Sequence, residues 1–373
     1  MAKNNKMAKA GASRRDVLKG TALAAAAIAV PTVLTPRRTR AAVTLTVRDP
    51  GGPYVKAFGE GFYKAFNKAN AGEIEVVGVA GKHEPTSQVK AMVDTGSYTW
   101  DAAILSISAV NLLVNEGDGY LEKLDLGGNA DHDEIPAQFK TPYMQGNDVY
   151  ATVLAYRNDV YKTKATAPVN GWKDVWDLEG IKGRRAIRKH PFDTFEEALM
   201  AQGVAPTDVY NDMRTNGYDP VFASLDKIKP AIDIWWTGGA QTSQLLTTGE
   251  VDICPTWNGR AQAAIDGGAP VTISWTQGLY SYEGWSVLKG GPNVEAARKF
   301  VAFCANAKNQ AEFAKYLGYG PVNPNAYDHI APARAAILPT SPGNLEQMTP
   351  IDSDFWGKEK DRATELFNGW LLG

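Results

Sequence analysis

The chain of 373 residues is poor in cysteine and histidine, and past its first 41 residues it has no long apolar run. Each scarcity excludes something. Its two cysteines, Cys254 and Cys304, form no C-x-x-C, so no redox or zinc motif of that kind is indicated. Cys254 stands in a short β-rich run and Cys304 in the helical pattern AARKFVAFCANAK, and both read as small core residues. A disulfide between them is the alternative that an oxidising compartment permits. His83, His132, His190 and His329 are scattered, with none at i, i+4 from another, which removes the helical zinc pair. There is no G-x-S-x-G elbow, no G-x-x-x-x-G-K-[ST] phosphate loop and no G-x-G-x-x-G. The acid-rich NADHDE, Asn129 to Glu134, lacks the glycine and spacing of a calcium loop and reads as solvated loop. Nothing here points to a catalytic residue, a metal or a cofactor.

Positive charge is scarce too, once the amino terminus is set aside. Residues 1–41 hold nine of the 39 Lys and Arg but one of the 41 Asp and Glu, so the remainder is acidic by about ten charges. Nucleic-acid binding needs a basic footprint and is not expected. The leader itself reads as an export signal: a basic start, SRRDVLK, the apolar run TALAAAAIAVPTVL, then Thr39 and Ala41 at cleavage-site spacing. SRRDVLK resembles the twin-arginine type, with Val17 where Phe is commoner. At about 14 residues the apolar run is short of the ~20 that span a bilayer.

What remains alternates between two periods. AVTLTVRD, GEIEVVGVA and WDAAILS are β-rich. Between and after them come YVKAFGEGFYKAFNKAN, PTSQVKAMVDTG and AVNLLVNEG, with apolar residues at helical spacing. A second series starts at YATVLAYRNDVYK, and a long helix is expected over Val294 to Leu317. Strands alternating with helices imply βαβ units and a parallel sheet. The length and the two series predict an α/β protein of two lobes with more than one crossing between them, hence a hinged cleft. Within the second series, VDICPTWNGRAQAAIDGG reads as a strand, a break at Trp-Asn-Gly and a short helix. Ligands in open α/β sheets bind beyond the carboxyl ends of strands. Trp257 is therefore either a lid on the core or a wall of a binding cleft.

The order and spacing of WDAAILS, GWKDVWDLEGIKG, GEVDICPTWNG and LGYGPVNPNA resemble the exported solute-binding proteins of ABC importers, of the spermidine/putrescine-binding type. The similarity covers nearly all of residues 43–373. It implies a two-lobed periplasmic-binding-protein-like fold of type II, with lobe 1 over 43–155 plus about 284–329 and lobe 2 over 156–283 plus about 330–373. It also implies a periplasmic monomer that captures a small amine between aromatic rings and carboxylates and delivers it to a permease in the inner membrane.

Carried over position by position, the resemblance nominates Trp257 and Tyr319 as pocket aromatics and Asp193 as an ammonium-binding acid. Asp49, Ser106 and Ser108 fall in contact segments at strand ends. Tyr282 and Glu283 lie near an aromatic–x–acid pair whose register is off, Gly284 standing where the acid belongs, and Trp285 is placed to fill the space. These departures leave two cation-binding acids insecure. Arg260, beside Trp257, and Gln241 could instead hold a carboxylate, since the guanidinium fork suits one. A small zwitterion such as γ-aminobutyrate, or a small carboxylate, is thus the alternative to a polyamine. A reading of another class, an exported hydrolase, would require a nucleophile–base pair or metal. A ferric-ion binder on the same fold would use Tyr ligands, and no adjacent Tyr-Tyr pair occurs.

Overall fold

The computed structural model describes residues 42–81, 85–116, 119–164 and 169–373. The leader and His83 lie outside the described residues. Eight strands carry the fold: β1 (Val43–Asp49), β2 (Ile74–Ala80), β3 (Ala102–Ser106), β4 (Met144–Arg157), β5 (Arg185–Arg188), β6 (Ile232–Trp236), β7 (Ile253–Trp257) and β8 (Val271–Val287). They form one mixed sheet in the order β2-β1-β3-β8-β4-β7-β5-β6, and three two-residue strands add to β4 and β8. β1 pairs parallel with β2 and β3, and β5 pairs parallel with β6 and β7. The two parallel sets are joined by the long antiparallel pair β4–β8. β4 is buried on both faces along most of its length, as a central strand covered by helices must be.

Apolar periodicity sorts the helices onto several cores, of which two are the largest. One gathers Leu45, Val47, Phe58, Phe62, Phe66, Trp285, Phe300 and Phe313. The other gathers Trp172, Ile187, Phe195, Val221, Leu225, Trp356 and Phe367. The last two residues come from the carboxyl-terminal helix Ser353–Leu372. The helix Thr86–Thr95 stops where Gly96 turns left-handed at φ 65°, a conformation glycine adopts without a Cβ penalty.

Local chemistry overrides two of the expected elements. The single helix over 294–317 is two, Val294–Cys304 and Ala307–Tyr316. Asn306 divides them, its side chain accepting from the N–H groups of Lys308 and Asn309 as a cap. NADHDE is not loop throughout. Ala130–Asp133 forms one helical turn capped by Asn129, and Asp131 accepts a hydrogen bond from Asn306 at 3.0 Å. Cys254 and Cys304 are free thiols, buried in different apolar clusters. Among the described residues no helix is long and apolar enough to cross a membrane.

Candidate functional site

Strands β1, β5 and β7 end at Asp49, Arg188 and Trp257. The segments that follow them border a cavity of about 390 Å³. A similar depression of about 410 Å³ lies between Tyr218 and the carboxyl-terminal helix, but several of its polar groups are already engaged. There Arg362 pairs with Glu359, Arg214 pairs with Asp352, and the Tyr218 hydroxyl donates to Glu359. The first cavity is lined by Tyr54, Tyr150, Phe192, Trp257 and Tyr319, with Arg188, His190, Arg260, Glu283 and Lys360 among them.

Trp-Asn-Gly at the end of β7 divides its labour. Trp257 presents a face to the cavity and packs edge-on against Trp236, with ring centres 5.7 Å apart. Asn258 is fully buried. Its side chain accepts from the Ala151 N–H at 3.1 Å and donates to the Gly318 carbonyl at 2.6 Å, tying β4, the helix Asn258–Asp266 and the Tyr319 segment together. A Cβ on Gly259 would sit 2.9 Å from the Tyr319 ring, so glycine lets that ring approach. Arg260 follows on the helix's first turn, and its Nε is buried without a hydrogen-bond partner. Gly239 serves the same wall: a Cβ there would lie 2.7 Å from the Trp257 ring and 2.8 Å from Arg260 Nε.

β5 delivers the second cation. The Arg188 guanidinium stands 5.2 Å from the Trp257 ring centre and 5.7 Å from those of Trp236 and Phe192. Its Nη1 donates to Asp193 Oδ2 at 2.6 Å. Asp193 is 1% exposed and has a left-handed backbone, φ 74°, inside the helix Pro191–Ala201. A non-glycine residue is held there only when its surroundings over-determine it. Burial pushes the Asp193 carboxyl up from its ordinary value, while Arg188 opposes the shift.

The opposite wall begins in DPGGPY. Gly51 and Gly52 have φ of 77° and 59°, and Asp49 Oδ1 accepts from the Gly51 N–H at 2.7 Å, so this turn depends on its glycines. Pro53 then starts a helix that places Tyr54 on the cavity. The Tyr54 hydroxyl donates to Glu283 Oε2 at 3.0 Å. The rings of Tyr54 and Tyr150 pack against Tyr319 at 5.9 and 6.0 Å. Burial raises both the Tyr54 and the Tyr319 hydroxyls, so both are protonated donors at neutral pH. Asp148, opposite Glu283 in the β4–β8 ladder, is raised well above the carboxylate range by burial and by Glu283.

Of the residues nominated from sequence, the structure brings Trp257, Arg260, Glu283 and Tyr319 to this cavity. The others lie elsewhere, each for a visible reason. Asp49 is buried and engaged by its own turn. Ser106 caps the helix Ile107–Asn115, accepting from the Ala109 N–H, and Ser108 lies on that helix's first turn. Asp193 is behind Arg188 rather than open to an ammonium. Gln241 is exposed and accepts from the Thr237 N–H. Tyr282 points to the other side of β8, against Phe139. Trp285 is fully buried between Phe58, Phe62 and Phe300, its indole N–H on Asn147.

The reading from sequence missed Arg188, Tyr54, Tyr150, Phe192, His190 and Lys360. A signal existed for Arg188. It ends a parallel strand immediately before a helix, as Trp257 does.

Residues 61–340 match the bacterial extracellular solute-binding proteins. The chain belongs to that family. A γ-aminobutyric acid-binding protein of Pseudomonas aeruginosa is 34% identical over 88% of this chain and 90% of its own length. A putrescine/cadaverine-binding protein of the same organism is 24% identical over 72% of this chain and 80% of its own. Among solved structures, an ABC transporter substrate-binding protein from Bradyrhizobium japonicum is similar with TM-score 0.78 and 32% identity, covering 88% of this chain and 99% of that one. The fold is the periplasmic-binding-protein-like α/β fold, and the solute-binding protein of an ABC transporter is a carrier of small molecules rather than an enzyme. Membership in an extracellular family places its work outside the cytoplasm. The polyamine type expected from sequence is narrower than this.

Proposed function

We propose that this solute-binding protein captures a small zwitterion with an amine at one end and a carboxylate at the other, the class of γ-aminobutyrate, in the cavity beyond β1, β5 and β7. The charge layout carries the reading. Arg188 and Arg260 stand on one wall and Glu283, beneath Tyr54, on the other, with aromatic faces between. A carboxylate meets two guanidinium forks, and an ammonium meets a carboxylate and ring faces. The γ-aminobutyric acid-binding relative supports the same class. A polyamine fits this layout less well, because the acid expected at its second amine, Asp193, is taken up by Arg188.

Two further readings belong here. The cavity lies between a lobe of residues 43–155 plus about 284–329 and a lobe of 156–283 plus about 330–373, and it closes as they approach. The protein is exported as a monomer by a twin-arginine-type leader and hands its solute to a permease in the inner membrane.

The test is calorimetric titration with thermal shift, using γ-aminobutyrate, putrescine, common amino acids and small dicarboxylates. A zwitterion at 100 times its Kd should stabilise the protein by ~2.7 kcal/mol, a shift of a few degrees. Trp257→Ala should weaken binding ~10-fold or more, as loss of a central aromatic does. A response to diamines alone would reverse the assignment.

A further inference from the structure

Resting on that reading, we infer that the Arg188–Asp193 pair is the element that sets which charge the site accepts: Asp193 positions Arg188 for a solute carboxylate, and Arg188 in turn masks a carboxylate that would otherwise hold an ammonium.

The argument starts from an oddity of the helix Pro191–Ala201. Its Asp193 is almost fully buried in a left-handed conformation. Oδ2 accepts from Arg188, and the buried Thr152 hydroxyl also favours the charged carboxylate. A carboxylate held in full burial on a positive-φ backbone is costly, so the arrangement must be set by something other than local preference. What it achieves is geometric. Nη1 of Arg188 is drawn back to Asp193 and to the Phe192 carbonyl at 3.4 Å, and the guanidinium is laid against three aromatic rings. A long side chain with many rotamers becomes a fixed plane at the cavity wall. Asp193 itself does not line the cavity; Arg188 stands between them.

The same geometry makes the pair a switch of specificity. Without the guanidinium, the Asp193 carboxyl loses the group that stands between it and the cavity, and Glu283 is retained on the far wall. Two acids flanking aromatic faces are what a compact diamine requires. With the guanidinium present, one end of the site carries a fixed cation and a diamine meets repulsion there. Repulsive elements of this kind are how binding sites reject near-isosteric competitors.

The matched probes are γ-aminobutyrate and putrescine, which share a carbon chain and differ in one end group. Affinities are measured by calorimetry on the purified protein and on Arg188→Ala, Arg188→Gln, Asp193→Asn and the double variant R188A/D193N. Arg188→Ala should lose γ-aminobutyrate affinity by ~30-fold or more, as breaking a desolvated charge pair does, and gain putrescine affinity by ~10-fold or more. Asp193→Asn, an isosteric change that leaves the Cβ and the backbone atoms as they are, should weaken γ-aminobutyrate binding although no solute contact is removed. Arg188→Gln, which keeps part of the stem but not the charge, should lose the carboxylate. The double variant should bind neither. It leaves no unpaired buried charge, so it keeps the test readable if Arg188→Ala does not fold.

Unchanged γ-aminobutyrate affinity in Asp193→Asn, or a folded Arg188→Ala with no gain for putrescine, overturns the inference and leaves the cavity assignment standing. Failure of the wild-type protein to bind any zwitterion overturns the functional reading and the inference with it.

Discussion

Gly239 and Gly259 touch no solute in this arrangement, yet they decide how close the site's rings and guanidinium can come. Gly239 faces both Trp257 and Arg260, and Gly259 faces Tyr319, at distances no Cβ tolerates. Neither has a positive φ, so their requirement is for space rather than for a backbone conformation. Gly239→Ala is expected to lower solute affinity ~10-fold by displacing Trp257 and Arg260, while costing stability only the ~1–3 kcal/mol of modest overpacking. Calorimetric titration beside a denaturant melt checks it, and an unchanged Kd would mean that the wall adjusts freely. At this scale the sequence was half legible. Trp257 and Arg260, which line the cavity, were nominated because a strand-end aromatic followed by Asn-Gly has a mechanism. Asp193 was misread because an acid at the start of a helix looks the same whether it faces a ligand or an arginine five residues behind it. Arg188 was lost among the cations of GRRAIRKH, where Arg184 pairs with Asp252 and Arg185 is buried on backbone carbonyls. Nothing but the strand's end separates the third role from the first two.

Among elements, the helix Asn258–Asp266 does the most joining. Its first residue holds β4 by one hydrogen bond and the Tyr319 segment by another, both in full burial. Asn258→Ala would leave a buried N–H and a buried carbonyl unpaired. It should cost about 2 kcal/mol or more, measured by chemical denaturation. Solute affinity should fall with it, because Tyr319 loses its anchor. Loss of stability with affinity untouched would show that Tyr319 is placed by its own core packing. The strand–helix alternation was readable because period-2 and period-3.6 patterns are strong here. The helix break at Asn306 was not read, although the sequence Cys-Ala-Asn-Ala-Lys-Asn contains the cap that makes it. A cap inside a continuing apolar pattern is weaker than the pattern itself. The antiparallel pairing that joins the two parallel sets was not legible either: β4 is buried on both sides and shows no alternation, and the alternation that opens β8 at VTISWT marks a strand without naming its neighbours.

For the molecule as a whole, buried acids set the pH response. Glu196 accepts from the Tyr210 hydroxyl at 2.7 Å and the Trp356 indole at 2.6 Å, and burial followed by the Asp193 charge raises it to about 7. Glu197 is fully buried with neither oxygen partnered, and burial, Asp193 and Glu196 push it well above its ordinary value. A carboxyl raised in the folded state keeps a proton that the unfolded chain releases above its ordinary carboxylate range. Between there and about pH 7 the folded state therefore binds more protons, and stability falls as pH rises. The melting temperature should be higher at pH 5 than at pH 8. Glu197→Gln, a neutral isostere, should raise it by a few degrees at pH 8 and change it little at pH 5. Equal effects at both pH values would mean that Glu197 is ionised in the folded protein.

The walls of the cavity are drawn from residues near 50, 150, 190, 260, 283, 319 and 360. The last of these lies on the helix that ends one residue before the carboxyl terminus. The residues up to Tyr150 supply fewer than half of this set, and Lys360 completes it. The proposed solute cavity is therefore assembled from most of the chain's length, and a fragment ending before Lys360 lacks part of its wall.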